Sequence, residues 1–272
     1  MEFMGNTIYL KVLIFLQFLA IAILLPMYAF GDFTAGMTAM DRGDFKEAFN
    51  HFKLLAEKGD VQAQLQMGYL YYHGKGVQVD YREAAKWLRK AADKGNAYAQ
   101  FNLGRMYASG KGVDKDYRES VRYYRMAADK GDSDARLALG IAYYYGNGIT
   151  KDEKEAVKWF RLCAGQGNPQ AQGILGKMYA TGSGVPQDDM EAVRYYRMAA
   201  AKGDADAQTS LAFAYLLGKG VSKDVAEAFF WSEVAGDRGG NPVKIIEKNA
   251  LKEMTSIQAT DTKRRAAEWK PQ

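Results

Sequence analysis

The chain repeats itself every 36 residues, and that period constrains its fold more than any other feature. Gly59, Gly95, Gly131, Gly167, Gly203 and Gly239 recur at this step, as do Ala63, Ala99, Ala135, Ala171 and Ala207. Tyr71, Tyr107, Tyr143, Tyr179 and Tyr215 hold the same register. Five full units run from 55–90 through 199–234 without an insertion or a deletion. A unit of this size cannot bury its apolar face alone, so each stacks on its neighbours to build a continuous core. An all-α solenoid of helix-turn-helix repeats is therefore expected.

Each unit reads as two helices. In the first, helix A runs from about Asp60 to His73, with Ala63, Met67, Gly68 and Tyr71 along one side. The turn Gly74-Lys75-Gly76-Val77 ends it, and its counterparts stand at 110–113, 146–149, 182–185 and 218–221. A glycine-rich turn with a lysine raises the question of a phosphate site. The middle residue varies, however (Lys75, Lys111, Asn147, Ser183, Lys219), and no GxxxxGK[ST] pattern exists. Glycine suits a helix C-terminus because it adopts positive φ without steric cost, so the turns are expected to be structural. Helix B opens with Asp80/Glu83, repeated as Asp116/Glu119, Asp152/Glu155, Asp188/Glu191 and Asp224/Glu227. Asp at the N-cap with Glu three residues on predicts a capping box rather than a catalytic pair. Its core stripe is Ala84, Trp87, Leu88, Ala91 and Ala92.

The ends differ from the middle. Val12 to Leu25 holds one polar residue, Gln17; Pro26 and Ala29-Phe30-Gly31 follow. Residues 1–31 read as a secretory signal peptide cut ahead of Asp32, with an uncleaved signal anchor as the alternative. Either way the remainder is expected outside the cytoplasm, periplasmic or secreted, touching a membrane only through residues 12–30 if uncleaved. Residues 32–58 read as a shorter, tetratricopeptide-like N-terminal cap without the GxGV turn, 59–240 as the repeats, and 241–272 as a C-terminal capping helix and tail. The net charge of +5 includes no dense basic run, so nucleic acid is not an expected partner. The single cysteine, Cys163, takes the register position of Ala91, Ala127 and Ala199 and is read as a buried small residue.

The pattern A-x-x-x-[LM]-G-x-x-Y-x-x-G-x-G-[VI]-x-x-D-x-x-[EA]-[AS] at this step resembles the Sel-1-like repeat, a relative of the tetratricopeptide repeat, over roughly residues 33–240. The closing MTSIQATDTKRRAAEW is similar to the tail helix of many bacterial members. The fifth copy departs, with Ala212 for the glycine and Gly236 for the second alanine. The resemblance implies an α/α superhelix that binds proteins or peptides on its concave face, often in exported bacterial settings. It also brings a cell-wall-acting or lactam-hydrolysing reading from cysteine-rich members, whose paired cysteines this chain lacks.

The inventory of reactive residues argues against an enzyme. Two histidines, His51 and His73, exclude HExxH, and no SxxK or GxSxG motif occurs. No catalytic, cofactor or metal residue is assigned. Binding has a positional argument instead. Residues 63, 67, 68 and 71 fall within an arc of about 140° on helix A, which leaves 62, 66, 69 and 73 on the opposite side. That stripe diverges between repeats and carries interface-type side chains. Tyr69, His73, Tyr98, Asn102, Arg105, Ile141, Tyr145, Lys177 and Phe213 are the candidate partner-binding residues. Packing of some of them on the adjacent repeat is the bland alternative, and a structural spacer in an envelope complex is the alternative function.

Overall fold

The structure, a computed structural model, describes residues 32–271, and the chain divides into two compact units, up to Lys115 and from Asp116. The apolar N-terminal stretch and both readings of it fall on residues 1–31, outside the described residues. The first unit holds α1 (Phe33–Asp41), α2 (Phe45–Glu57), α3 (Val61–His73), α4 (Tyr81–Asp93) and α5 (Ala97–Ser109). The second holds α6 (Tyr117–Ala128), α7 (Ser133–Tyr145), α8 (Glu153–Gly165), α9 (Pro169–Thr181) and α10 (Asp189–Ala201). It continues with α11 (Ala205–Leu217), α12 (Val225–Ala235), α13 (Asn241–Ala250) and α14 (Ser256–Glu268). Within each unit every helix up to α13 packs on the one before it, while α14 folds back onto α12. The described residues contain no strand, and the fold is an all-α solenoid of 36-residue repeats.

Small residues set the spacing of paired helices. A Cβ on Gly68 would come 2.7 Å from Leu88, and one on Gly176 would come 2.5 Å from the Tyr196 ring. The two helices therefore approach closely, and the large side chain lies across the bare backbone. In the last repeat Ala212 replaces the glycine, and Ser232 holds the register position of Leu88 and Tyr196. Both are fully buried, and the Ser232 hydroxyl donates to the Phe229 carbonyl at 2.8 Å. The added methyl is thus matched by a smaller residue on the partner helix. Phe52, Phe160 and Phe229 are among the largest wholly buried side chains, each stabilising by about 1.5–3 kcal/mol.

The glycine turns have two functions. The first glycine closes helix A in the left-handed region, at φ 66° for Gly74, and the Lys75 N–H donates back to the Leu70 carbonyl. The second meets the preceding repeat. A Cβ on Gly148 would sit 2.2 Å from the Tyr117 carbonyl oxygen, at the first residue of α6.

Side chains tie successive repeats through backbone carbonyls. Gln172 Nε2 donates to the Ala164 carbonyl at 3.2 Å, and Gln64, Gln100 and Gln208 make the equivalent bonds to Ala56, Ala92 and Ala200. In each of these four glutamines Oε1 is buried without a protein partner. Arg161 donates to the Tyr179 hydroxyl at 2.6 Å, and Arg89–Tyr107 and Arg197–Tyr215 repeat the pairing. At the C-terminal end Arg265 pairs with Glu227 at 3.0 Å, and the Trp269 ring lies edge-on to Trp231.

The expected capping boxes form only by half. Asp188 Oδ1 accepts from the Met190 and Glu191 N–H groups, both at 3.0 Å, as an N-cap should. The reciprocal bond is missing because the Asp188 N–H already donates to the Tyr179 carbonyl at 2.9 Å. Glu191 turns outward to Arg194 at 2.7 Å, and Glu83, Glu119 and Glu155 do the same with Lys86, Arg122 and Lys158. Among the described residues the complete box is Thr255 with Gln258.

Candidate functional site

The stripe at 62, 66, 69 and 73 recurs in five A helices, and none of its twenty positions, four in each, is buried. Residues 63, 67 and 68 of the same helix are buried. The arithmetic is helical: a 13-residue helix packed on both neighbours along one side leaves the other to solvent.

In the first unit the stripe lines a groove between α3 and α5. Tyr69, His73, Tyr98, Asn102 and Arg105 converge on a cavity of about 160 Å³, floored by Leu65, Leu88 and Met106. All five of this unit's candidates therefore meet at one place. Tyr98 is 56% exposed, and Asn102 donates back to its carbonyl at 2.8 Å. Tyr69 and His73 rings lie 4.5 Å apart, one helical turn along α3. Tyr69 half-buries itself on the core formed by Met67, Leu70 and Trp87.

Three residues at this groove were not among the candidates. Tyr72 lines it, stacked edge-on against His73 and Tyr81 at 5.1 Å. Lys75 Nζ donates to Tyr69 Oη at 2.9 Å, and Lys111 Nζ donates to Tyr72 Oη at 3.3 Å. The turn lysines, which hold no phosphate motif, thus reach the aromatic cluster. Their recurrence at one turn position was the signal in the sequence that could have found them.

In the second unit the candidates divide between two hollows. Ile141, Lys177 and Phe213 line a cavity of about 740 Å³, with Ile174, Tyr196, Asp204 and Asp206. Tyr145, 68% exposed, belongs to a neighbouring hollow of about 190 Å³ that shares Ile141 and Lys177. Ile141 and Ile174 also pack on the core around Phe160 and Leu175, so these two are half-buried in the manner the bland alternative described. Burial pushes the Asp204 carboxyl above the usual range, and the Asp206 charge adds to it; the bond from the Ala207 N–H acts the other way. Burial likewise raises the Tyr196 phenol.

Burial pushes the Cys163 thiol up, and its Sγ lies 3.2 Å from the Ser133 carbonyl, inside the core. That environment disfavours the thiolate a nucleophile needs. Among the described residues no group of three or more His, Cys, Asp or Glu side chains could hold a metal ion, and no helix is long and apolar enough to cross a membrane.

The comparisons follow the repeat register. The Sel1 repeat model matches six successive segments, 27–60, 61–96, 97–132, 133–168, 169–204 and 205–240. A Sel1 repeat protein from Oxalobacter formigenes is 36% identical with a TM-score of 0.71, over 87% of this chain and 99% of its own. The c5321 protein of uropathogenic Escherichia coli, a protective antigen displaying an SLR fold, is 33% identical with a TM-score of 0.79 over 88% of this chain. This chain spans 54% of that antigen's length. No curated protein matches. With six repeats in unbroken succession, this chain belongs to the Sel1 repeat family, α/α solenoids that generally serve as protein-interaction scaffolds.

Proposed function

We propose that this protein is a non-catalytic scaffold or adaptor of the cell envelope or secreted space, holding a partner protein or peptide along its helix A stripe. The observation that carries the reading is the composition of an unburied surface. Tyr69, Tyr98, Arg105, Ile141, Tyr145, Lys177 and Phe213 stay accessible while the residues beside them are packed away. Aromatic, apolar and arginine side chains of this kind anchor interfaces. The hollows in each unit supply places for partner side chains to enter.

The test is photocrosslinking of native partners from positions on helix A and helix B, combined with Arg105→Ala and Ile141→Ala. Both substitutions weaken capture by tenfold or more, as truncated anchors do, and leave helical content unchanged. Partners that crosslink only to helix B, and survive both substitutions, replace this reading with a structural spacer. Export is tested by sequencing the N-terminus of the native protein. A chain beginning near Asp32 supports it, and an intact Met1 on a cytoplasmic form opposes it.

A further inference from the structure

We infer that the groove of the first unit selects an acidic peptide segment that inserts one apolar side chain between α3 and α5. This deepens the scaffold reading above and rests on it. Charge is the first argument. No carboxylate lines the groove; the ionisable groups of its lining other than tyrosine are His73 and Arg105. Asp41, at the end of α1, does not line the cavity. Lys75 and Lys111 add two cations at its edge. Among the described residues none of Lys75, Arg105 and Lys111 forms an ion pair.

The hydroxyls supply the second argument. Tyr69 Oη and Tyr72 Oη each accept a bond from a lysine ammonium. Each phenol therefore keeps its own proton to donate outward, and an anion is the acceptor such a donor favours. A carboxylate at this place meets two phenolic donors backed by ammonium groups, with the Arg105 guanidinium on the adjacent helix.

Size is the third argument. A cavity of about 160 Å³ falls below the range of about 300–1,000 Å³ of small-molecule and cofactor sites, and its floor is Leu65, Leu88 and Met106. It admits one apolar side chain. A nucleic acid base fits poorly, because Tyr69, Tyr72 and His73 pack on one another at interplanar angles of 46° and 62° and leave no flat stacking platform. The large cavity of the second unit makes the contrast, since Asp204 and Asp206 line it beside Lys177.

The experiment measures anisotropy of labelled synthetic peptides with the full chain at low and physiological salt. The probe is a decapeptide of alternating glutamate and aspartate with one central leucine. Its controls carry glutamine for the acids, lysine for the acids, or glycine for the leucine, and a thymidine oligomer serves as the nucleic acid control. The acidic leucine peptide binds, weakens on adding salt, and weakens at least tenfold against the Arg105→Glu/Lys111→Glu variant. That variant retains its helical circular dichroism and gains affinity for the lysine peptide. Arg105→Lys keeps most of the binding, and the glycine control binds several-fold more weakly. The inference is overturned if the acidic peptide does not bind, if the glutamine peptide binds equally, or if the oligomer binds more tightly at the same residues. Native partners that still crosslink to α3 and α5 and ignore the charge reversal would sink this inference alone. Partners found only on helix B would sink the scaffold reading with it.

Discussion

Gly112 rests on the carbonyl of Tyr81: a Cβ at Gly112 would lie 2.0 Å from the Tyr81 oxygen, at the first residue of α4. The glycine also has φ +72°, so two independent constraints meet at one residue. Gly110, two residues earlier, has φ +74°, yet its Cβ would come no nearer than 3.2 Å to the Lys115 side chain and 3.6 Å to the Lys115 backbone.

That difference yields a prediction on stability. Gly110→Ala costs about 1 kcal/mol from backbone conformation alone. Gly112→Ala costs clearly more, since α4 has to move away from the turn. Urea unfolding of the two variants measures the gap. Equal midpoints would mean that the approach to Tyr81 relaxes at no cost.

The half-formed capping boxes separate two residues that look like partners. Asp188→Ala removes the acceptor for two N–H groups and costs about 1 kcal/mol. Glu191→Ala removes an exposed ion pair with Arg194 and costs about 0.5 kcal/mol or less. Thermal melting of both variants checks the order. Similar losses would restore a reciprocal box.

The N-caps of the A helices predict a pH-dependent gain. Asn96 and Asn168 cap α5 and α9 without charge, whereas Asp204 caps α11 with a carboxyl whose pKa burial and Asp206 raise. A raised folded pKa means that ionised Asp204 opposes folding at neutral pH. The opposition disappears as pH falls below the unfolded value near 3.8. Asp204→Asn therefore raises the unfolding midpoint at pH 7, and the advantage shrinks on acidification until the two proteins coincide near pH 3. Melting curves across that range decide it; a lower midpoint at pH 7 would show that the charge on the helix N-terminus outweighs burial.

The helix pairs, their turns and the unburied stripe were legible in the sequence because each depends on local spacing. Asp60 and Gly74 bracket α3 as cap and stop, and the 62/66/69/73 stripe follows from 3.6 residues per turn. The contact role of Gly112 and Gly148 was not legible, because a glycine chosen for its φ and one chosen for its missing Cβ are the same letter. The outward turn of Glu191 depends on the Asp188 N–H finding the Tyr179 carbonyl, a bond across the repeat that local spacing cannot report. The groove lysines escaped for a related reason: Lys111 reaches Tyr72 across 39 residues of chain. The departure at Ala212 is matched by the small, buried Ser232 on the partner helix, a pairing that the periodic pattern does not report.

The glutamine joints carry a consequence for how such a chain comes to exist. Gln172 holds its neighbour by a carbonyl, and every residue type owns a carbonyl. A joint of this sort asks nothing of the side chain on the other side. A duplicated stretch of 36 residues therefore arrives with its fastening already compatible, and a deleted one leaves ends that still fit.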